Sequence, residues 1–207
     1  PAGASQLLVT VTGGKVGAAS DNAAIVLATA PGACNQITAS AQFTVNEVST
    51  AATVYALAQF IDAGGDFGAS STNAKGLANA VATVANLVNL ATGASPGAGF
   101  PATGSSPAAK INTVANLLNT CTVSASSCSQ LFAATTPASG SAPTTILGAA
   151  FDLARNADAN GRTLYAQASA STAFAPALTS EPADWTLDIS FQCGGMNAHL
   201  VHPGDEV

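Results

Sequence analysis

Four cysteines, two histidines and eleven acidic side chains hold most of the chemistry open to these 207 residues. Cys121 and Cys128 stand seven apart, separated by Thr-Val-Ser-Ala-Ser-Ser. In an oxidising compartment that spacing reads as a small disulfide loop. Cys34 and Cys193 remain, free to pair with each other within one chain or between two. No C-x-x-C stands in the chain, which removes the zinc-ribbon, thioredoxin-like and c-type haem readings at the motif level. His199 and His202 are three apart, and a helix would bring their imidazoles together as a metal pair. Pro203 and Gly204 argue for a loop, so a solvated tail or a subunit contact is expected and no metal site is assigned.

Other short motifs fail on physical grounds. Gly93-Ala94-Ser95-Pro96-Gly97 matches the G-x-S-x-G of serine hydrolases in letters. It follows a helical pattern rather than a strand, and Pro96 has no N–H to offer an oxyanion. Residues 156–161 resemble the start of a calcium loop, but Asn156 and Gln167 stand where Asp and Glu are needed. Glu47, Asp62, Asp66, Asp152, Asp184 and Asp188 form no recognisable pair for glycosidic chemistry. No phosphate-cradling glycine loop is present. The expectation is a protein that is not an enzyme, with no catalytic residues and no cofactor.

Composition points the same way. Charged residues make up 8% of the chain, against about 25% in an ordinary soluble domain. Its surface must therefore be polar but nearly neutral, with little repulsion between copies. The five basic residues, Lys15, Lys75, Lys110, Arg155 and Arg162, are scattered, and the net charge is −6. Nucleic acid and anionic membrane surfaces are disfavoured as partners. No apolar run reaches the roughly 18 residues of a membrane span. A chain starting at Pro1 reads as a mature secreted protein, extracellular or at the cell surface.

Residues 6–12 alternate as a strand, with Leu7, Val9 and Val11 on one side, and Gly13-Gly14 marks a turn. A second short strand is expected over 24–28, stopped by Pro31-Gly32, and a third over 37–45. Thr44 with Glu47, or Asn46 alone, caps a helix over 47–61. It places Val48, Ala51, Ala52, Tyr55 and Ala58 on one face. A helix over 73–92 carries Leu77, Val81, Val84 and Val88, with Gly93 at its end. Ser106 and Pro107 open a third, with Ile111, Val114, Leu117 and Leu118 inward. Thr83-Val84-Ala85-Asn86-Leu87-Val88-Asn89 recurs as Thr113-Val114-Ala115-Asn116-Leu117-Leu118-Asn119, which suggests a hairpin of related helices. The repeated asparagines are expected to make inter-helix or backbone hydrogen bonds. Further helices are expected over 129–134, after Pro143-Thr144, and after Asn160. In the tail, Trp185, Leu187, Ile189 and Phe191 alternate with polar residues as an amphipathic strand. That strand either joins the chain's own sheet or is donated to a neighbour.

An ordered series of motifs carries a family resemblance. It runs through Thr12-Gly13-Gly14, Asn22-Ala23-Ala24-Ile25, Pro31-Gly32-Ala33-Cys34 and the stretch from Val45-Asn46-Glu47 to Ala58. It continues through Ala109-Lys110-Ile111-Asn112-Thr113, Cys121, Cys128 and Leu131-Phe132 to Pro182-Ala183-Asp184-Trp185-Thr186. The chain resembles a secreted acidobacterial helical module often found after an immunoglobulin-like β segment and before an NHL-type β-propeller. The resemblance implies secretion and a Cys121–Cys128 bridge, and it transfers no catalytic residues. The chain departs from it by lacking most of the upstream β segment and by stopping soon after Trp185, which favours a free-standing subunit.

The expected fold is α+β, a helical bundle with a small antiparallel sheet formed by N-terminal strands and the C-terminal strand. A β segment (1–45), a helical bundle (46–183) and a strand with tail (184–207) pack as one domain or are exchanged between subunits. The expected role is a self-assembling filament or surface-layer subunit, with Trp185, Leu187, Ile189 and Phe191 at the subunit contact. The alternative is a secreted module recognising carbohydrate or an envelope protein, with Trp185, Tyr55 and Tyr165 as stacking surfaces. The Ser/Thr-rich loops at Ser70 to Thr72 and Thr103 to Ser106 could carry O-linked sugars on composition.

Overall fold

The computed structural model describes residues 5–17 and 20–191. Cys193, His199 and His202 lie outside the described residues.

The protein is α+β, with six α-helices and two small antiparallel sheets among the described residues. Strand β1 (Gln6–Thr12) pairs with β2 (Val26–Ala33), with a register shift between Leu7 and Val9. β2 runs on through Pro31-Gly32, where Gly32 takes φ 128. Proline is tolerated in a strand where its missing N–H faces no partner. The far edge of β2 is closed by the first helix, α1 (Glu47–Leu57). Ser49 donates to the Ala28 carbonyl at 3.0 Å, and the Ala28 N–H donates to Thr50 Oγ1 at 3.0 Å. No ladder position is left there, so the third strand expected over 37–45 does not form. That segment is irregular and mostly exposed, and Thr44 N–H donates to the Leu90 carbonyl instead.

Helix α1 is capped by Asn46, whose side chain accepts from Ser49 N–H while Ser49 Oγ accepts from Asn46 N–H. The reciprocal partner is thus Ser49, not Glu47. Sequence spacing gives α1 one apolar face, yet Val48, Ala51, Ala52, Val54 and Leu57 are all buried. A helix of small apolar residues buried all round is a central helix. It packs against α2 (Ala74–Leu87), α3 (Ala108–Val123), α5 (Ile146–Arg155) and β2. The repeated heptapeptides lie on α2 and α3, which both flank α1 rather than forming a hairpin with each other. α2 stops at Leu87, with Val88 already extended, so its repeat ends in a turn where Gly93 takes φ 69.

Helices α4 (Cys128–Thr135) and α6 (Gly161–Ala168) complete the bundle against α3. Ile111, Val114, Leu117 and Leu118 of α3, with Ile146, Ala149, Ala150 and Leu153 of α5, meet in one core. Cys121 and Cys128 are joined, tying the end of α3 to the start of α4. Asn22 stitches the hairpin loop to the same point, donating to the Cys121 carbonyl at 2.7 Å.

The C-terminal strand β4 (Ser190–Phe191) pairs with β3 (Gly104–Ser105), not with the N-terminal hairpin. Upstream of that pairing, Trp185 N–H donates to the Ala157 carbonyl at 2.7 Å, in the turn between α5 and α6.

Candidate assembly surface

Residues 171–191 form an extended strap held to the bundle chiefly by one polar face of α3. Asn116 grips the strap twice, accepting from Phe174 N–H and donating to the Phe174 carbonyl, each at 2.9 Å. Asn112 donates to the Pro176 carbonyl at 2.8 Å, and Thr113 Oγ1 accepts from Leu178 N–H at 2.8 Å. Asn119 accepts from Ser171 at 3.0 Å and donates to the buried carboxylate of Glu47 at 3.0 Å. Tyr165 adds a bond from α6 to the Leu178 carbonyl at 3.2 Å. These side chains do for a lone extended segment what a neighbouring strand does in a sheet: they satisfy its backbone.

Lys110, Thr113, Asn116 and Asn119 follow one another three apart along α3, and Asn112 stands four before Asn116, so the five share a broad side of the helix. Lys110 donates to the Thr186 carbonyl at 2.7 Å and lies 3.5 Å from Asp184. Asp184 also accepts from the Thr186 N–H and hydroxyl. Those two bonds, with help from Lys110, hold its carboxyl below the usual carboxylate range. Tyr55 lies on the opposite side of the balance. Burial, and then the negative charge of Asp184, push its phenol above the ordinary tyrosine range. Its hydroxyl is enclosed and has no hydrogen-bond partner among the described residues.

The tail residues expected at a subunit contact divide by depth. Trp185 is fully buried in the core of its own chain, its indole N–H without an acceptor among the described residues. Leu187 and Ile189 are partly buried against the same core. Phe191 is 61% exposed. The alternation is thus real, but residues 184–189 have no ladder partner among the described residues, and of the four apolar side chains Phe191 alone is exposed.

No family model, curated protein or solved structure matches the chain.

A second exposed element accompanies Phe191. Gly13 N–H donates to the Ile25 carbonyl at 2.7 Å. By the two-residue alternation of an antiparallel ladder, the backbone groups of Leu8, Thr10 and Thr12 then point away from β2. No described residue bonds to them. β1 carries no charge and no proline, and Val11 is 45% exposed. Proteins usually blunt such an edge with charge, proline or cover.

Other sequence candidates resolve into local roles. Ser95 donates to the Leu87 carbonyl at 2.7 Å and so closes the end of α2. Asn156 bonds the Asp152 carbonyl at 2.8 Å, and Asn160 takes φ 53 while bonding the Ala134 carbonyl at 2.9 Å. Both act in the turn between α5 and α6. Among the repeated asparagines, Asn116 and Asn119 hold the strap, Asn89 accepts from Ala91 N–H at 3.0 Å, and the Asn86 side chain is exposed. Cys34 is exposed and has no disulfide partner among the described residues.

Proposed function

We propose that this chain is a non-enzymatic extracellular structural subunit that associates with copies of itself, as in a filament or surface layer. The observation that supports it is the outer edge of β1 from Leu8 to Thr12, which carries no charge and no proline and to which no described residue bonds. A second copy is the occupant this edge favours. The segment Val9-Thr10-Val11-Thr12 can pair antiparallel with itself, and β1 has no charge of its own to repel a second copy. The exposed Phe191 adds apolar area. The register shift after Leu7 leaves Val9 to Thr12 as the regular part of the template. A disulfide in the core suits an oxidising compartment.

Sugar recognition has less support, because its expected tools are withdrawn: Trp185 is enclosed, and Tyr55 and Tyr165 pack partly against the core.

Sedimentation velocity over a concentration series, with electron microscopy of the concentrated sample, tests the proposal. Wild type is expected to self-associate, and Thr10→Lys to remain monomeric with an unchanged circular dichroism spectrum. A monomer at every concentration, or an assembly indifferent to Thr10→Lys, refutes pairing along β1.

A further inference from the structure

A groove of about 510 Å³ opens between β2, the turn at 63–64, the loop before α5 and α5 itself. That volume lies within the range of small-molecule sites. Val26, Ala63 and Pro143 give it apolar wall, and Ser141, Thr144 and Thr145 give it hydroxyls. Its lining holds one ionisable group, Asp152, which is only 9% exposed. No described residue donates a hydrogen bond to this carboxylate or pairs with it; Lys110–Asp184 is the salt bridge among the described residues. The neighbouring cation is turned away: Arg155 donates to the Ala58 carbonyl at 2.9 Å and lies over the Phe151 ring. The nearby Asp62 is occupied in its own turn by the N–H groups of Gly64 and Asp66.

The residue is largely enclosed but its carboxylate oxygens are not sealed off, so the group meets the groove with no protein partner, and a cation with N–H donors entering there would pair with it. The walls decide which cation. A bare divalent ion needs several oxygen ligands, and calcium takes six to eight; no cluster of three metal-ligating side chains occurs among the described residues. A sugar ring would want an aromatic face, and the lining has none. A short aliphatic chain ending in an ammonium matches both the apolar wall and the single negative charge. We propose that this groove binds an aliphatic primary amine in its ammonium form, with the head on Asp152 and the chain along Val26, Ala63 and Pro143.

Isothermal titration with 1,4-diaminobutane tests this, with 1,4-butanediol and sodium chloride as controls. The diamine is expected to bind saturably and the two controls not at all. Asp152→Asn is expected to weaken binding by roughly tenfold or more, because a charge-assisted hydrogen bond becomes a neutral one. Ser141→Trp, on the exposed lip of the groove, should block the site without touching the core, and carries the test if the Asn variant misfolds. Absence of diamine binding, equal binding of the diol, or undiminished binding in folded variants would overturn the proposal.

Discussion

Asn116 and Asn86 occupy the same position of the repeated heptapeptide, yet one is 2% exposed and grips the strap while the other faces solvent. Their replacement by alanine should therefore give very different results. Asn116→Ala removes both bonds to Phe174 and strands a backbone N–H and a carbonyl against the bundle. Each unsatisfied buried group costs about 1–3 kcal/mol, and water reaching one of them returns part of that. A total of about 3 kcal/mol follows, which for a domain of this size lowers Tm by roughly 6–12 °C. Asn86→Ala exchanges one exposed helical residue for a better helix former and should stay within about 0.5 kcal/mol of wild type. Urea unfolding followed by far-UV circular dichroism measures both. Equal losses in the two variants, or a loss under about 1 kcal/mol for Asn116→Ala, would refute the claim that this side chain holds the strap.

Tyr55→Phe deletes an enclosed hydroxyl that has no partner among the described residues, so it should leave the urea midpoint unchanged or raise it. Replacing both Cys121 and Cys128 by serine opens a loop of sequence separation 7, and chain-entropy reasoning puts the loss at about 2.5 kcal/mol, measurable by the same unfolding curves. Burial raises the Asp152 carboxyl above its ordinary value, so the folded protein holds that proton longer than the unfolded chain. Its contribution to stability therefore falls as pH rises from the normal carboxylate range through the raised value. Asp152→Asn, which stays neutral, should gain on wild type across that interval in paired unfolding titrations.

What the sequence disclosed depended on the range of the interaction involved. The inward faces of α3 and α5 follow from local spacing, because apolar residues three and four apart must share a side. The cap at Asn46 is equally local, satisfying an N–H three residues on. By contrast, the partners of Asn112 and Asn116 lie 64 and 58 residues away, and the two copies of the heptapeptide differ only at Val88 and Leu118, which says nothing of their asparagines' partners. The misplaced strand over 37–45 had suitable residues, but strand formation needs a free ladder edge, and Ser49 and Thr50 had taken it. Alternation in the tail marked Trp185 as apolar-facing without revealing that the face was the bundle itself. Asp152 was visible only as one acid among several, since its isolation arises from how the loop before α5 folds over it.

Enclosure of Trp185 sets an order on synthesis. Every helix of the bundle has left the ribosome before the indole that fills their common interior. During that interval the nascent chain carries an unfilled cleft lined by apolar side chains, the kind of surface that chaperones hold. Completion of the native interior must wait for a residue that follows all six described helices in the sequence.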